Sequence, residues 1–212
     1  MSDDAGKWVV PVFPEDEILH ILAALLRCLK GLQKTSSLEL ETSLTKRLLK
    51  LLRQDSGLRD RPVWPFRETV IDDEESDAEG RLDLHFHLQD PRHKPPPYFA
   101  VEAKRLHVTF NAGWKSLVSD YVTHHQGMMC FIDGRYSKGL RSGGMVGYVF
   151  DGNIQRAILA ISESLEAHRE KLRSVTPHLP QPSSEFPLDT VWTTIHRVDG
   201  HSFTMFHILA EV

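Results

Sequence analysis

Hydrophobic side chains return at helical spacing in several stretches of this chain and alternate with polar ones in others. Residues 15–33 predict an amphipathic helix, opened by Pro14 and an acidic first turn of Glu15, Asp16 and Glu17. A second helix is predicted from about 37 to 54. Leu40, Leu44, Leu48, Leu51 and Leu52 fall on helical spacing there, and Ser36 or Ser37 would cap it. "NIQRAILAISESLEAHREKLR" predicts another, capped by Asp151 or Asn153. "NAGWKSLVSDYVTHHQ" has helical character too, with Trp114, Leu117, Val118 and Tyr121 on one side.

Strand patterns fill the intervals. In "RLDLHFHL" alternation sends Leu82, Leu84, Phe86 and Leu88 one way and Asp83, His85 and His87 the other. In "YFAVEAKRL" it sends Phe99, Val101 and Ala103 to one face and Glu102 and Lys104 to the opposite one. "GMMCFID" and "MVGYVF" are short, continuously apolar runs that predict buried strands. "PVWPFRETVI" contains two prolines and allows at most an edge strand. The acidic run from Asp72 to Glu79 reads as a solvated loop, and residues 175–188 as a proline-rich connector. The C-terminal stretch predicts a hairpin turning at Asp199-Gly200.

This order of elements predicts an α/β protein built round one mixed sheet, with two N-terminal helices and a C-terminal β-hairpin appended. One domain over residues 1–212 is expected, its core at about 38–172 and an extension at about 175–212.

Composition adds mainly exclusions. With 25 basic and 29 acidic residues the chain carries −4, so any polyanion would have to be held by a local patch. Cys28 and Cys130 lie in apolar runs and match neither a zinc knuckle nor a redox pair, which predicts buried free thiols. The N-terminus is acidic and has no signal core, and "ILHILAALLRCLKGL" is too short and too charged to span a bilayer. A cytoplasmic protein without a membrane partner follows as the expectation.

The informative residues are the acids in the two alternating runs. If those strands are neighbours, Asp83 and Glu102 converge with Lys104 beside them. Two carboxylates so close raise each other's pKa unless a cation lies between. Mg²⁺ or Mn²⁺, with its demand for oxygen ligands, meets that need. The lysine could then activate water or stabilise charge growing on a phosphate.

The spacing D-x18-E-x-K from Asp83 through Glu102 to Lys104 resembles the PD-(D/E)XK nuclease superfamily, over roughly residues 38–150. That resemblance implies a restriction-endonuclease-like fold and Mg²⁺-dependent hydrolysis of nucleic-acid phosphodiesters, DNA ahead of RNA, in restriction, repair or defence. It implies metal ligation by Asp83, Glu102 and the Ala103 carbonyl, catalysis by Asp83, Glu102 and Lys104, and a further glutamate from the preceding helix. Glu41 is the candidate for that glutamate and Glu39 the second. Gln126 is the candidate polar residue from the helix after the core motif. Leu82 stands where such enzymes often carry proline.

Arg135, Lys138 and Arg141 lie among glycines and could bind a phosphate backbone, with Tyr136 available to stack on a base. The negative net charge inclines the expectation towards a homodimer or a partner subunit that helps to hold DNA. One alternative is a nuclease-fold binding or assembly subunit with a vestigial site. The other is a zinc-dependent hydrolase built on His85 and His87. No phosphate-binding P-loop and no hydrolase serine elbow occurs.

Overall fold

The structure is a computed structural model and describes residues 13–67, 69–71, 80–92, 96–136, 139–176 and 190–212; for residues 69–71, 80 and 81 the backbone alone is described. The acidic run 72–79, Lys138 and nearly all of the proline-rich connector lie outside these residues.

The chain opens with helices α1 (Glu15–Lys30), α2 (Glu41–Leu52) and the short α3 (Ser56–Arg59). Strands β1 (Val63–Phe66), β2 (Thr69–Ile71), β3 (Gly80–Leu82), β4 (Leu84–Leu88) and β5 (Tyr98–Leu106) follow. A ribbon of β6 (Val108–Phe110) and β7 (Gly113–Lys115) precedes α4 (Val118–Val122) and α5 (Met129–Ile132). Then come β8 (Ser142–Val149), α6 (Ile154–Ala167), β9 (Val191–Val198) and β10 (His201–Glu211).

Six strands form one mixed sheet in the order β1-β4-β5-β8-β10-β9. The central pairs β5–β8 and β8–β10 are parallel, and the outer three pairs are antiparallel. Alternation along the strands supplies two cores. Phe99, Val101, Val146 and Phe206 meet Ile21, Leu25, Leu44 and Leu48 of α1 and α2 on one face. Ala100, Met145, Met205 and Leu209 meet Tyr121, Phe131 and Ile161 of α4–α6 on the other. The result is a three-layer α/β arrangement. No helix among the described residues is long and apolar enough to cross a membrane.

Several elements depart from the expectations. The helix predicted from about 37 begins at Glu41, and Leu40, expected on its apolar stripe, is its exposed N-cap. "MCFI" is a buried helical turn rather than a strand, because a short apolar run carries no period that separates the two. Trp114 sits on β7, not on a helix, and Gly113 at φ +112° is the backbone that admits the ribbon's turn. The run "RLDLHFHL" breaks at Asp83, so Leu82 and Leu84 end in opposite cores. The edge assignment holds for β1, which carries Pro65 at the sheet margin. The predicted hairpin also holds, with Asp199 and Gly200 at φ +50° and +76° in its turn. Yet it is not an appendage, because β10 lies inside the sheet between β8 and β9.

A buried polar chain links β9 and β10 to α4. His196 Nδ1–H donates to the Leu172 carbonyl, which leaves its Nε2 to accept from Thr194 Oγ1 at 2.7 Å. Thr194 in turn accepts from His207 Nε2 at 2.8 Å, and His207 Nδ1 accepts from the Tyr121 hydroxyl at 3.0 Å. Every donor then has an acceptor, and both imidazoles are neutral. Burial pushes His207 down to about 3 and also lowers His196.

Candidate functional site

The site grows from an interruption in the sheet. β4 pairs with β5 only as far as Leu84 opposite Val101, and among the described residues no strand pairs with residues 102–106 of β5 on that side. On its other side β5 stays paired with β8 through Leu106. Backbone groups on the open edge still need partners. The Ala103 N–H donates to Asp83 Oδ2 at 2.9 Å, and the Arg105 N–H donates to Glu41 Oε2 at 2.9 Å. Lys104 Nζ donates to the Ala103 carbonyl at 2.9 Å.

Lys104 completes the arrangement. Its ammonium lies 2.6 Å from Glu102 Oε1, 3.1 Å from Glu41 Oε1 and 3.7 Å from Asp83 Oδ2. With the Ala103 carbonyl, four oxygens therefore face one nitrogen. They come from Glu41, Asp83, Glu102 and Ala103, the residues that the resemblance assigns to a metal ion.

The electrostatics follow from crowding and burial. Burial, reinforced by the Asp83 charge, holds Glu102 well above the usual carboxylate range despite Lys104 beside it. Burial also raises Glu41, with Lys104 opposing and Asp83 adding. Burial alone would lower Lys104, but Glu102, Glu41 and Asp83 outweigh it and keep the amine protonated beyond its ordinary range. Glu102 Oε2 is buried with no hydrogen-bond partner. Such an oxygen calls for a proton or a cation, since leaving it unpaired costs about 1–3 kcal/mol.

The donor set consists of hard oxygens and so suits Mg²⁺ or Mn²⁺ in kind. As the side chains stand, however, the ammonium holds the centre. Among the described residues no group of three or more His, Cys, Asp or Glu is arranged to hold a metal ion.

The remaining sequence candidates lie elsewhere. Glu39 is buried against Arg47 at 2.8 Å and accepts from Ser43 and the Thr35 N–H, so it anchors the start of α2. Gln126 is exposed in the turn between α4 and α5 and lies on no helix. Arg135 donates to the His125 carbonyl. Arg141 precedes β8, whose register places Gly147 opposite Lys104. Glu102 is opposite Met145, so four residues, roughly 13 Å at a strand's rise, separate Arg141 from the nearest acid along the sheet. Tyr136 is buried, edge-on to Phe131, and offers no face to a base. His85 stacks on Phe66 at 5.4 Å with His87 edge-on at 4.7 Å, an aromatic cluster at the sheet margin.

Two supporting residues were not among the sequence candidates. Tyr148 donates its hydroxyl to Thr45 Oγ1 at 3.1 Å, and Thr45 donates to the Glu41 carbonyl at 3.0 Å. The pair ties the first turn of α2 to β8 and so places Glu41. Thr45 could have been noticed four residues after Glu41, one helical turn on. Nothing in the strand pattern marked Tyr148.

No family model, no curated protein and no solved structure matches the chain. The geometry therefore stands alone as the guide to function.

Proposed function

We propose that this chain is a divalent-metal-dependent nuclease of restriction-endonuclease-like fold that hydrolyses phosphodiester bonds, with DNA as its first substrate. The observation that carries this reading is the convergence of Glu41, Asp83, Glu102 and the Ala103 carbonyl on one cationic centre. The unpartnered Glu102 Oε2 supports it, as a buried acceptor awaiting a charge.

Glu41, Asp83, Glu102 and Ala103 would hold the ion once Lys104 swings aside. A bound ion would supply Lewis-acid polarisation of the phosphate. Lys104 would then stand beside the phosphate. Lys104 would there activate water or stabilise the negative charge developing on the phosphate. Tyr148 and Thr45 keep Glu41 in place. A homodimer or partner subunit would supplement a surface that is acidic overall.

One observation favours a second reading, a nuclease-fold assembly subunit without catalysis. Lys104 and the acids already satisfy the open edge of β5 without any ion. Incubation with plasmid, linear duplex and single-stranded substrates plus Mg²⁺ or Mn²⁺ separates the two. Cleavage that disappears in Glu102→Ala and Lys104→Ala supports the nuclease. Equal activity in both variants, or no cleavage together with no ion binding, leaves the assembly subunit.

A further inference from the structure

The β6–β7 ribbon follows β5 directly in the chain, and its second strand is exposed along its whole length. Arg105, one residue after Lys104, lies 5.9 Å from the rings of both Phe110 and Phe150. Lys115 lies 5.6 Å from Phe110, and Arg156 lies 5.4 Å from Trp114. Cations on aromatic faces are therefore concentrated at one end of a protein that is otherwise acidic. Asp151 is the acid among them, paired with Arg156 at 3.1 Å.

Trp114 is 47% exposed, although burial is the normal fate of so large a ring. The backbone is held in place at strain. His107 and Leu117 flank the ribbon at φ +56° and +55°, a left-handed conformation that residues with a Cβ rarely adopt. The His107 N–H closes the base of the ribbon on the Ser116 carbonyl at 2.9 Å. Strain of this kind persists where the surrounding structure insists on the geometry.

We infer that the β6–β7 ribbon is a single-strand binding element, in which Trp114 stacks an unpaired base and Lys115, Arg105 and Arg156 meet the adjoining phosphates. The choice of a nucleic acid as the anion rests on the nuclease reading. The indole is half exposed with the Arg156 cation on its ring and the His107 ring 5.3 Å away, and its exposed part suits an unpaired base, which offers both a π-face and a phosphate; the faces of paired bases are stacked away inside a duplex. Thr109, which pairs with Trp114, is five residues from Lys104, a reach of at most roughly 17 Å because the chain bends at His107. A strand seated on the ribbon can therefore extend to the acids.

Fluorescence anisotropy with labelled oligothymidylate tests this on the whole protein in EDTA, where binding is read without cleavage. Trp114→Ala should weaken binding roughly 5- to 150-fold, and Trp114→Phe should recover most of the loss. Lys115→Ala should lower the slope of log affinity against log salt by about 0.7. Trp64→Ala, at another exposed indole, should leave affinity unchanged. Equal affinity in wild type and Trp114→Ala with unchanged circular dichroism overturns the inference. So does the absence of oligonucleotide binding, or a duplex preference that survives Trp114→Ala. Metal-dependent cleavage without any Trp114 dependence removes the ribbon's role and leaves the nuclease. Trp114-dependent binding without cleavage does the reverse.

Discussion

The ammonium of Lys104 lies 2.6 Å from Glu102 Oε1, and both groups are almost wholly buried. Lys104 is thus the cation of its own site, and any divalent ion must compete with it. In Lys104→Met that competitor is gone. Mg²⁺ or Mn²⁺ should bind more tightly to this variant than to wild type in calorimetric titration, while cleavage is lost. Without an ion the variant should be destabilised by about 3–5 kcal/mol, since three carboxylates are left without their partner. Added Mn²⁺ should restore much of the lost melting temperature. Weaker ion binding in Lys104→Met than in wild type would count against the arrangement proposed.

Glu102 gives a pH test with a definite sign. Its folded pKa is raised above the ordinary 4.5, so the folded state takes up its proton more readily than the unfolded chain. The associated stability is present below pH 4.5 and is lost as pH rises through the folded value. Glu102→Gln removes the titration while keeping the shape. In the absence of divalent ions, the melting temperature of wild type relative to Glu102→Gln should fall as the solution is made more alkaline.

The histidine chain titrates in the opposite sense. His207 and His196 are depressed in the folded state, so the unfolded chain binds protons first as pH falls below about 6.5. Stability should drop by about 1.4 kcal/mol per pH unit for each depressed group, continuing towards about 3 for His207. Thr194→Val breaks the chain and strands both ring nitrogens. Denaturant unfolding at neutral pH should show a loss of about 2–5 kcal/mol.

The two glutamates before and inside α2 should separate cleanly. Glu39→Gln removes the partner of Arg47 and should lower stability by about 1–3 kcal/mol with little effect on ion affinity. Glu41→Gln should weaken ion binding at least tenfold with a smaller change in stability. Tyr148→Phe should weaken it modestly through Glu41, a loss of about 1 kcal/mol. Ion titrations beside thermal melts of the same variants check all three.

The shared face of Glu102 and Lys104 was legible because alternation along β5 assigns it; Asp83 joins them from the break between β3 and β4, which alternation did not show, and Glu41 was pointed to by the family resemblance rather than by its own pattern. Which edge of β5 lies open was not legible, since it depends on β4 ending at Leu84, a fact of pairing rather than of local pattern. Trp114 and the "MCFI" segment went astray for a related reason. Apolar residues in short runs fit helix, strand or ribbon equally, and tertiary packing decides among them. The interior position of β10 was hidden too, because the hairpin turn at Asp199-Gly200 fixes the β9–β10 pair but not its neighbours.

The open edge of β5 has a consequence apart from any chemistry. An unpaired run of strand in the middle of a sheet is a template on which a foreign strand could add, leading to aggregation. Here the Ala103 and Arg105 N–H groups of the template are taken by carboxylates, and the Ala103 carbonyl by an ammonium. A chain approaching that edge would find its hydrogen bonds already spent and buried charge in its path. The cluster therefore caps that edge against strand addition, a role Asp83, Glu41 and Lys104 fill together.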